Sequence, residues 1–351
     1  MTPPPDREQA LAEARDLEFV CRPRPAPTHE IFQPNAYYGN DCVLKLYAGL
    51  PPERPLKVVA PHGIVYDENY VWEAERRALL PAVLAYSGYR ARAYRRFTGK
   101  LPIRSAVPFA YLPRLLGDVA PAERTGTLFF PSHSSHRATA HADYAGMADA
   151  LARMDARFQP VTVCIYWRDY EMNRHRPFLE RGLSVVSAGH IFDAAFLFRF
   201  YHLCQSHRYA AGTHAGSSLP YSVLAGCRYS LLPGFGATYS GAKEHLAKDL
   251  SGGSALLSAL AEAFAAPAQD ITTRQSALVR EICGLDSLLG PEALRGVLAM
   301  ADRLDRFGVA RDPGSRRVYV AFPKTPLRAG WKLARMARRL ARKLMPRRLV
   351  A

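Results

Sequence analysis

The stretch from Gly126 to Trp167 reads "GTLFFPSHSSHRATAHADYAGMADALARMDARFQPVTVCIYW". It opens with the apolar run "TLFFP", passes through a polar segment and the helix-spaced "YAGMADALARMDAR", and closes with the apolar run "PVTVCIYW". Short apolar runs that alternate with helices of about 10 to 15 residues are typical of βαβ units, whose parallel sheet is covered by helices on both faces. This stretch therefore predicts an α/β fold with a parallel sheet.

The alternation continues as far as Gly234. Further strands are predicted at "LSVVSAG", "YAAGTH" and "RYSLLPG", with helices at "MNRHRPFLERG", "DAAFLFRFYHLCQSH" and "SLPYSVLAG". In the first half of the chain, "LKVVAPHG" predicts a strand and "NYVWEAERRALLPAVLAYSG" a helix. Beyond Gly241 the sequence predicts mostly helices, because apolar residues recur there at helical spacing.

Length and composition limit the class of protein. With 351 residues and 48% hydrophobic content, the chain is long enough for two globular domains. It contains no run of about 18 apolar residues that would cross a membrane. No apolar signal segment follows the first residues, so we expect a cytosolic protein. The six cysteines lack CxxC spacing and predict buried, reduced thiols rather than a zinc site.

The positive charge is concentrated at the C-terminus. The net charge is +16, and the segment 324–351 contains ten basic residues and no acidic one. At 100° per residue its apolar and basic side chains occupy opposite arcs of a helix, a pattern that predicts a basic amphipathic helix on an anionic membrane surface. An RNA-binding tail or a helix docked on the body are the alternatives. The predicted membrane-contacting residues are Lys332, Arg335, Arg338, Arg339, Arg342 and Lys343.

Three polar loops follow predicted strands: "SHSSHR", "SAGHIFD" and "THAGSS". Ligands of open parallel sheets bind in the crevice beyond the carboxyl ends of the strands, where these loops would meet. Hydroxyl groups, imidazoles and a helix start suit a phosphate and a sugar, although capped turns with surface histidines have the same composition. The candidate ligand-binding residues are His133, Ser134, Ser135, His136, Arg137, Gly189, His190, Thr213, His214, Gly216, Ser217 and Ser218.

Two further segments carry candidate functional residues. In "APHGIVYDENY", His62 ends a predicted strand and precedes Asp67 and Glu68, any of which could accept a proton from an attacking hydroxyl. The alternative is a turn histidine before a solvated acidic segment. In "YRARAYRRFTGKLPIR", a solvated basic face is the alternative to an anionic acceptor site. The candidate acceptor-binding residues in that segment are Arg92, Arg95 and Arg96.

Several functions are disfavoured by missing motifs. The chain has no GxGxxG, GxxxxGK[ST] or GxSxG sequence, which argues against a dinucleotide-dependent dehydrogenase, a P-loop NTPase and an α/β-hydrolase. Neither acids nor cysteines lie at zinc spacing from the loop histidines, so no metal site is predicted. Basic residues with interleaved aromatics suit single-stranded nucleic acid, but no nucleic-acid module accompanies them, and we expect no nucleic-acid partner.

Five segments together resemble bacterial glycosyltransferase-like proteins of capsule and lipopolysaccharide assembly: "PLKVVAPHGI", "GTLFFPSHSSHR", "PVTVCIYWRDY", "VVSAGHIFD" and "GTHAGSSLPYSVLAG". The resemblance spans residues 38 to 300 and implies two Rossmann-like domains of the GT-B type that face across a cleft. In such families an HG turn lies in the acceptor half, and a P-x-H-S segment and a glycine/serine helix start lie in the donor half. The corresponding residues here are His62, Gly63, His133, Ser134, Gly216 and Ser217.

The resemblance implies an enzyme that binds a nucleotide sugar without a tightly bound metal or cofactor and transfers the sugar to a lipid-linked or polysaccharide acceptor. With the basic C-terminal segment, it predicts a peripheral protein on the cytoplasmic face of the membrane. A CDP-polyol phosphotransferase of teichoic-acid-like synthesis and a non-catalytic assembly factor are the alternatives. The predicted divisions are a flexible arm (1–30), an acceptor domain (31–123), a donor domain (124–265), a helical closing segment (266–322) and the basic helix (323–351).

Overall fold

A computed structural model describes residues 4–117, 123–135, 138–232, 234–241, 254–267, 269–311 and 318–320 of the chain. The α-helices of this part are α1 (Arg7–Arg15), α2 (Leu17–Cys21), α3 (Asn40–Ala48), α4 (Glu73–Arg77), α5 (Gly88–Thr98), α6 (Leu112–Leu116), α7 (Tyr144–Ala152), α8 (Trp167–Glu171), α9 (Arg176–Glu180), α10 (Phe196–Ser206), α11 (Ser218–Leu224), α12 (Ala255–Ala263), α13 (Thr273–Cys283) and α14 (Pro291–Phe307).

The strands of the same part are β1 (Ala82–Ala85), β2 (Leu101–Arg104), β3 (Thr125–Phe130), β4 (Ala138–His141), β5 (Val161–Cys164), β6 (Ser184–Val186), β7 (His207–Gly212), β8 (Arg228–Leu231), β9 (Thr238–Gly241), β10 (Val309–Arg311) and β11 (Val318–Val320). Five of them form one sheet in the order β6-β5-β3-β7-β8, and every neighbouring pair is parallel. The prediction of an α/β fold with a parallel sheet is therefore confirmed.

The strand order fixes where the chain changes direction. From β3 the chain moves outward through β5 to β6, and then returns to the other side of β3 to add β7 and β8. The reversal lies between β3 and β7, which are hydrogen-bonded neighbours. In doubly wound sheets this switch point opens a crevice at the carboxyl ends of the two strands.

Both faces of the sheet are covered by apolar side chains, because the buried residues of β3 point alternately to one face and to the other. Leu128 and Phe130 belong to the large apolar cluster that also contains Leu203 of α10. Phe129, between them, packs into a second cluster with Met147 of α7. Successive side chains of a strand point to opposite faces, so the apolar run "TLFFP" serves two cores at once.

The first half of the chain forms a smaller parallel sheet. β1 pairs with β2, and Val59 adds a single parallel bridge to Val83. The strand predicted at "LKVVAPHG" is thus reduced to that bridge. The helix predicted over "NYVWEAERRALLPAVLAYSG" is confined to α4, because Pro81 cannot continue a helix and the fully buried Ala82–Ala85 form a strand.

The two halves share one core. Leu84 of β1 and Leu128 of β3 belong to the same buried cluster, together with Leu298 of α14. Residues 4–30, predicted as a loosely held arm, instead form α1 and α2, whose Ala10, Ala14 and Val20 are fully buried. Helical spacing of small residues lets α1 pack closely on α10.

Two features of the sheet margin matter for the site. β4 and β9 pair as an antiparallel ribbon that the sequence does not predict, directly after the "SHSSHR" loop. The basic segment 323–351 lies outside the described residues, and so do the six residues predicted to contact a membrane. Within the described part, none of the helices has the length and apolarity needed to cross a membrane.

Candidate functional site

The loops that follow β3 and β7 meet at the switch point. Ser132 Oγ lies 2.6 Å from Thr213 Oγ1 and 3.3 Å from His214 Nδ1. The ring centroids of His133 and His214 are 6.5 Å apart. The structure therefore brings "SHSSHR" and "THAGSS" together, as the parallel-sheet interpretation predicts.

These loops form one wall of a cavity of about 430 Å³. Ligand pockets of proteins usually have volumes of about 300 to 1,000 Å³, so this one can hold a small organic ligand. The opposite wall comes from the first half of the chain. The sequence-predicted residues that line the cavity are His62, Gly63, His133, Ser135, His214, Gly216, Ser217 and Ser218.

Aromatic rings make up much of the remaining surface. Their faces suit stacking against a nucleobase or a sugar ring, and their hydroxyls add hydrogen-bonding groups at the edges. The aromatic residues lining the cavity are Phe32, Tyr37, Tyr38, Tyr66, Trp72, Phe130, Tyr166, Phe196, Phe200, Tyr221 and Tyr239. None of them was singled out from the sequence, because an aromatic residue in an apolar run predicts core as readily as cavity.

Tyr38 joins the two walls through its backbone and its ring. Its N–H donates to the carbonyl of Ile191 at 2.6 Å, and its hydroxyl lies 3.3 Å from that of Tyr166. Its φ is +60°, a left-handed conformation that costs free energy for a bulky residue. Gly39 follows with φ +72° and lies so close to the carbonyl of Ala194 that a Cβ would clash. The contact between the two walls of the cavity thus depends on two consecutive residues in the left-handed backbone conformation.

His133 is exposed at the cavity mouth and has a defined orientation. Its Nδ1 lies 3.1 Å from the carbonyl oxygen of Ser134, and a carbonyl oxygen can only accept a hydrogen bond. Nδ1 therefore carries the hydrogen, which leaves the lone pair of the neutral ring on Nε2. The ring packs against Tyr166 with a centroid distance of 4.7 Å. His133 can accept a proton at Nε2 or, once protonated, donate a hydrogen bond to a phosphate oxygen.

His214 is held in the neutral form. Burial lowers its pKa to about 4, and the neighbouring His133 contributes to the same direction. A neutral imidazole between Ser132 and Thr213 can position hydroxyl groups, but it brings no positive charge to a ligand at neutral pH.

The lowered pKa predicts a dependence of stability on pH. The folded protein binds the His214 proton only below about pH 4, whereas the unfolded chain binds it below about pH 6.5. Protonation therefore favours unfolding between these values, and the free energy of unfolding should fall as the pH is lowered from 6.5 to 4. One such group contributes at most about 1.4 kcal/mol per pH unit. Denaturant unfolding of wild type and His214→Gln at pH 7, 6 and 5 measures this slope.

The expected result is a shallower fall for His214→Gln than for wild type. Burial also lowers the pKa of His190, His202 and His207, so part of the slope should persist in the variant. His141→Gln, which changes an exposed imidazole on β4, is the matched control and should retain the wild-type slope. Parallel curves for wild type and His214→Gln would contradict this account.

The loop after His62 is hydrogen-bonded to the second polar loop. The N–H of Ile64 donates to Ser217 Oγ at 3.2 Å, and the Tyr66 hydroxyl donates to the Gly216 carbonyl at 3.2 Å. The Ser217 hydroxyl makes no capping bond to α11, although the predicted helix does begin at Ser218. Two hydrogen bonds thus connect "THAGSS" to the opposite wall of the cavity, next to His62.

Ser134 is predicted to bind a ligand, but it is buried and has a structural role. Its N–H donates to Asp169 Oδ2 at 2.9 Å, and its Oγ accepts from Arg174 Nη1 at 2.6 Å. Arg174 also pairs with Asp169 at 2.6 Å. The hydroxyl further accepts from the N–H of Ala140 at 3.0 Å. This buried network fixes the loop after β3 rather than contacting the cavity.

Gly189 and His190 also point away from the cavity, whose lining takes Ala188 and Ile191 from this loop. The His190 ring packs on Trp167 with centroids 4.2 Å apart, and its Nδ1 accepts from the N–H of Phe192. Gly189 has φ +121° and sits against Arg199, so it allows close packing. The two residues support the loop. The sequence identifies them as polar-loop residues but does not show whether they face the cavity.

The predicted carboxylates and arginines of the first half lie outside the cavity. Asp67 accepts from the N–H of Asn69 and closes a turn, while the exposed Glu68 pairs with Arg92 at 3.5 Å. Arg96 donates to the Asn69 side chain at 3.1 Å, on the exposed face of α5 that also carries Arg95. These residues form a surface next to the 67–72 loop, and Asp67 and Glu68 are not among the described residues that line the cavity.

Glu75 lines the cavity, although the sequence analysis selects Asp67 and Glu68 from the same acidic segment. It follows Glu73 at the start of α4, where acidic residues are usually solvated, yet it is buried and accepts from the Tyr94 hydroxyl at 2.7 Å. Burial raises its pKa above the usual range, although the Tyr94 bond opposes the rise. The raised pKa favours the protonated carboxyl group, which can donate a hydrogen bond. His136 and Arg137, the other predicted loop residues, lie outside the described residues.

His29, Glu30 and Asp41 form the one group of side chains in the described part that has the spacing of metal ligands. The fully buried ammonium of Lys45 lies 2.5 Å from Glu30 Oε1 and 2.7 Å from Asp41 Oδ2. This lysine is bound to both carboxylates, so the group functions as a buried ion-pair network. It ties the segment before α3, which carries Glu30, to α3, which carries Asp41 and Lys45.

Comparison of the chain with protein-family models, curated proteins and solved structures finds no match.

Proposed function

We propose that the protein is a glycosyltransferase that moves a sugar from a nucleotide-sugar donor to a surface-polysaccharide acceptor carried on a lipid at the cytoplasmic membrane face. In this proposal the chain is of the GT-B type, with two Rossmann-like halves facing across the cavity. The observation that carries it is the meeting of the two polar loops at the switch point, with Ser132 Oγ 2.6 Å from Thr213 Oγ1. His62 of the other half lines the same cavity.

The residues around the cavity can perform the transfer as follows. His62 takes the proton from an acceptor hydroxyl, whose oxygen forms a bond to the anomeric carbon of the donor sugar. The bond between that carbon and the phosphate oxygen breaks, and the nucleotide leaves with the electron pair. His133, protonated at Nε2, donates to the phosphate oxygen on which negative charge develops. The products are the extended acceptor and the free nucleotide.

The lining supports a donor site without a tightly bound metal. Mg²⁺ is usually bound through carboxylates, and Glu75 is the one carboxylate among the described residues that line the cavity. It is already engaged by Tyr94. Ser135, Ser217 and Ser218 line the same cavity, and their hydroxyl groups can donate hydrogen bonds to a phosphate or sugar oxygen. Arg137, between two lining residues in the sequence, is the cation expected to assist them.

A thermal-shift panel tests donor binding. The protein is heated with UDP, GDP, CDP, CMP or dTDP, each with and without magnesium. We expect one nucleotide to raise the melting temperature by a few degrees, equally with and without magnesium, because binding to the folded state stabilises it. His133→Gln should reduce the shift, and His141→Gln should preserve it. The absence of a shift with every nucleotide would favour the non-catalytic assembly factor.

A further inference from the structure

The cavity has an apolar floor at the carboxyl ends of three neighbouring strands. Phe130 ends β3 and Cys164 ends β5, and the two strands pair in parallel. Ala188 follows β6, which pairs with the other side of β5. The three side chains line the cavity and belong to the same buried cluster. This part of the lining is therefore continuous with the core of the larger sheet.

Helix α10 covers this floor. The ring of Phe200 stacks on that of Phe130 with centroids 5.3 Å apart, and its centroid lies 6.3 Å from that of Tyr221. Arg199 Nε donates to the carbonyl of Ala188 at 2.9 Å, which ties the helix to the loop after β6. We call the part of the cavity between α10 and the strand ends the α10 chamber. Its lining residues are Tyr38, Phe130, Cys164, Ala188, Phe196, Leu197, Phe200 and Tyr221.

Tyr38 connects the α10 chamber to the polar part of the cavity. Its ring centroid lies 4.8 Å from that of Phe196 in the chamber and 6.2 Å from that of His62. Its hydroxyl lies 3.3 Å from that of Tyr166, whose ring packs on His133. The chamber and the candidate base are therefore separated by the width of one aromatic ring.

The chemistry of the chamber walls selects an apolar group. The eight lining side chains carry no charge, and their polar atoms are the Cys164 thiol and the hydroxyls of Tyr38 and Tyr221. The Tyr38 hydroxyl is already paired with that of Tyr166. A nucleobase or a sugar would bring more hydrogen-bonding groups into the chamber than these atoms can satisfy, and burying unpaired polar groups is unfavourable. A hydrocarbon chain has no such groups and is stabilised by leaving water.

We propose that the α10 chamber binds the linear hydrocarbon chain of an amphiphilic ligand, whose hydroxylated head lies beside His62. Ligand pockets commonly combine apolar walls with a few polar groups that fix the orientation of the ligand. In the proposed function, on which this identification of the ligand rests, the chain is the lipid end of the acceptor. Binding of the chain then positions a hydroxyl of the head at His62 and leaves the loops "SHSSHR" and "THAGSS" to the nucleotide.

Alkyl glucosides test the chamber in the absence of any nucleotide. The full chain is titrated with methyl, butyl, hexyl and octyl glucoside, each below its critical micelle concentration, and binding is measured by calorimetry. We expect the affinity to rise about fourfold for each added methylene until the chain fills the chamber, because each buried methylene leaves water. The heat-capacity change of binding should become more negative along the same series.

Two substitutions change the size of the chamber in opposite directions. Ala188→Val narrows it and should weaken octyl glucoside binding on the order of tenfold, with methyl glucoside binding unchanged. Its matched control is Ala210→Val, a fully buried alanine of β7 that is not among the described residues lining the cavity. Cys164→Ala enlarges the chamber and should strengthen octyl glucoside binding, whereas Cys204→Ala, at a buried cysteine of α10 outside the lining, should not.

Equal affinities for methyl and butyl glucoside would overturn the proposal. So would a chain-length dependence that neither Ala188→Val nor Cys164→Ala alters, because the chain would then bind elsewhere on the protein. The nucleotide-induced thermal shift is measured on the same samples. Its absence beside an intact chain-length dependence would contradict the proposed transferase and support the hydrocarbon site, whereas the reverse result would contradict the hydrocarbon site alone.

Discussion

Replacing His62 with glutamine should lower the turnover number by about 10²- to 10⁴-fold, which is the usual contribution of a general base. His62 lines the cavity from the first half and packs edge-on against Tyr37, with ring centroids 4.8 Å apart. Glutamine keeps much of the side-chain volume and polarity but cannot accept a proton near neutral pH. The loss should therefore fall on turnover and leave nucleotide binding intact.

Steady-state rates and the nucleotide-induced thermal shift, measured on the same samples, separate these effects. His141→Gln is the matched control, because it removes an exposed imidazole on β4 and should keep wild-type activity. His133→Gln should instead reduce nucleotide binding, since its side chain belongs to the donor wall. Retention of activity within a few-fold by His62→Gln would exclude His62 as the base, and Glu75 would then be the next residue to test.

Replacing Asp169 with alanine should reduce the free energy of unfolding by about 3 to 5 kcal/mol, the usual cost of leaving a buried charge without its partner. Asp169 is 1% exposed and accepts from the N–H of Ser134 and from Nη1 of Arg174. Its loss leaves the Ser134 N–H without its acceptor and the Arg174 guanidinium without its counter-charge beneath the "SHSSHR" loop. Because that loop carries His133, the variant should also lose the nucleotide-induced thermal shift.

Denaturant unfolding at neutral pH measures the loss. Asp270→Ala is the control: its carboxylate also pairs with an arginine, Arg228, at 2.8 Å, but the aspartate side chain is 83% exposed. Surface ion pairs contribute about 0 to 1 kcal/mol, so this variant should stay close to wild type. Equal effects of the two substitutions would show that the Ser134–Asp169–Arg174 network does not support the loop.

The larger sheet could be predicted from sequence because its strands are uninterrupted apolar runs. "TLFFP" and "PVTVCIYW" are buried on both faces, so their pattern is unambiguous, and parallel pairing brings their polar ends to one edge. The small sheet could not be predicted from sequence, because Ala82–Ala85 continues an alanine- and leucine-rich segment with helical spacing. The β4–β9 ribbon depends on pairing between segments about 100 residues apart, which local pattern does not encode.

The candidate site was predictable only as a set of loops. Sequence places Ser134 and His190 at strand ends, but whether such a side chain faces the cavity or the core depends on partners such as Asp169 and Trp167 of α8. Glu75 shows the reverse case. Its position at the start of α4 predicts a solvated side chain, but tertiary packing buries it. Residue type at a strand end thus identifies the loop, while the direction of each side chain follows from long-range contacts.

The central claim is tested most directly by following two labels through one reaction. The donor is the nucleotide sugar whose nucleotide raises the melting temperature, labelled with ¹⁴C in the sugar and ³²P in the phosphate next to it. It is incubated with the protein and a lipid-linked glycan fraction, and the products are separated from free nucleotide. The account predicts ¹⁴C in the glycan product and all ³²P in the released nucleotide. Transfer of ³²P with the ¹⁴C would contradict it and indicate a phosphotransferase, and absence of both labels from the product would indicate that the protein does not catalyse transfer.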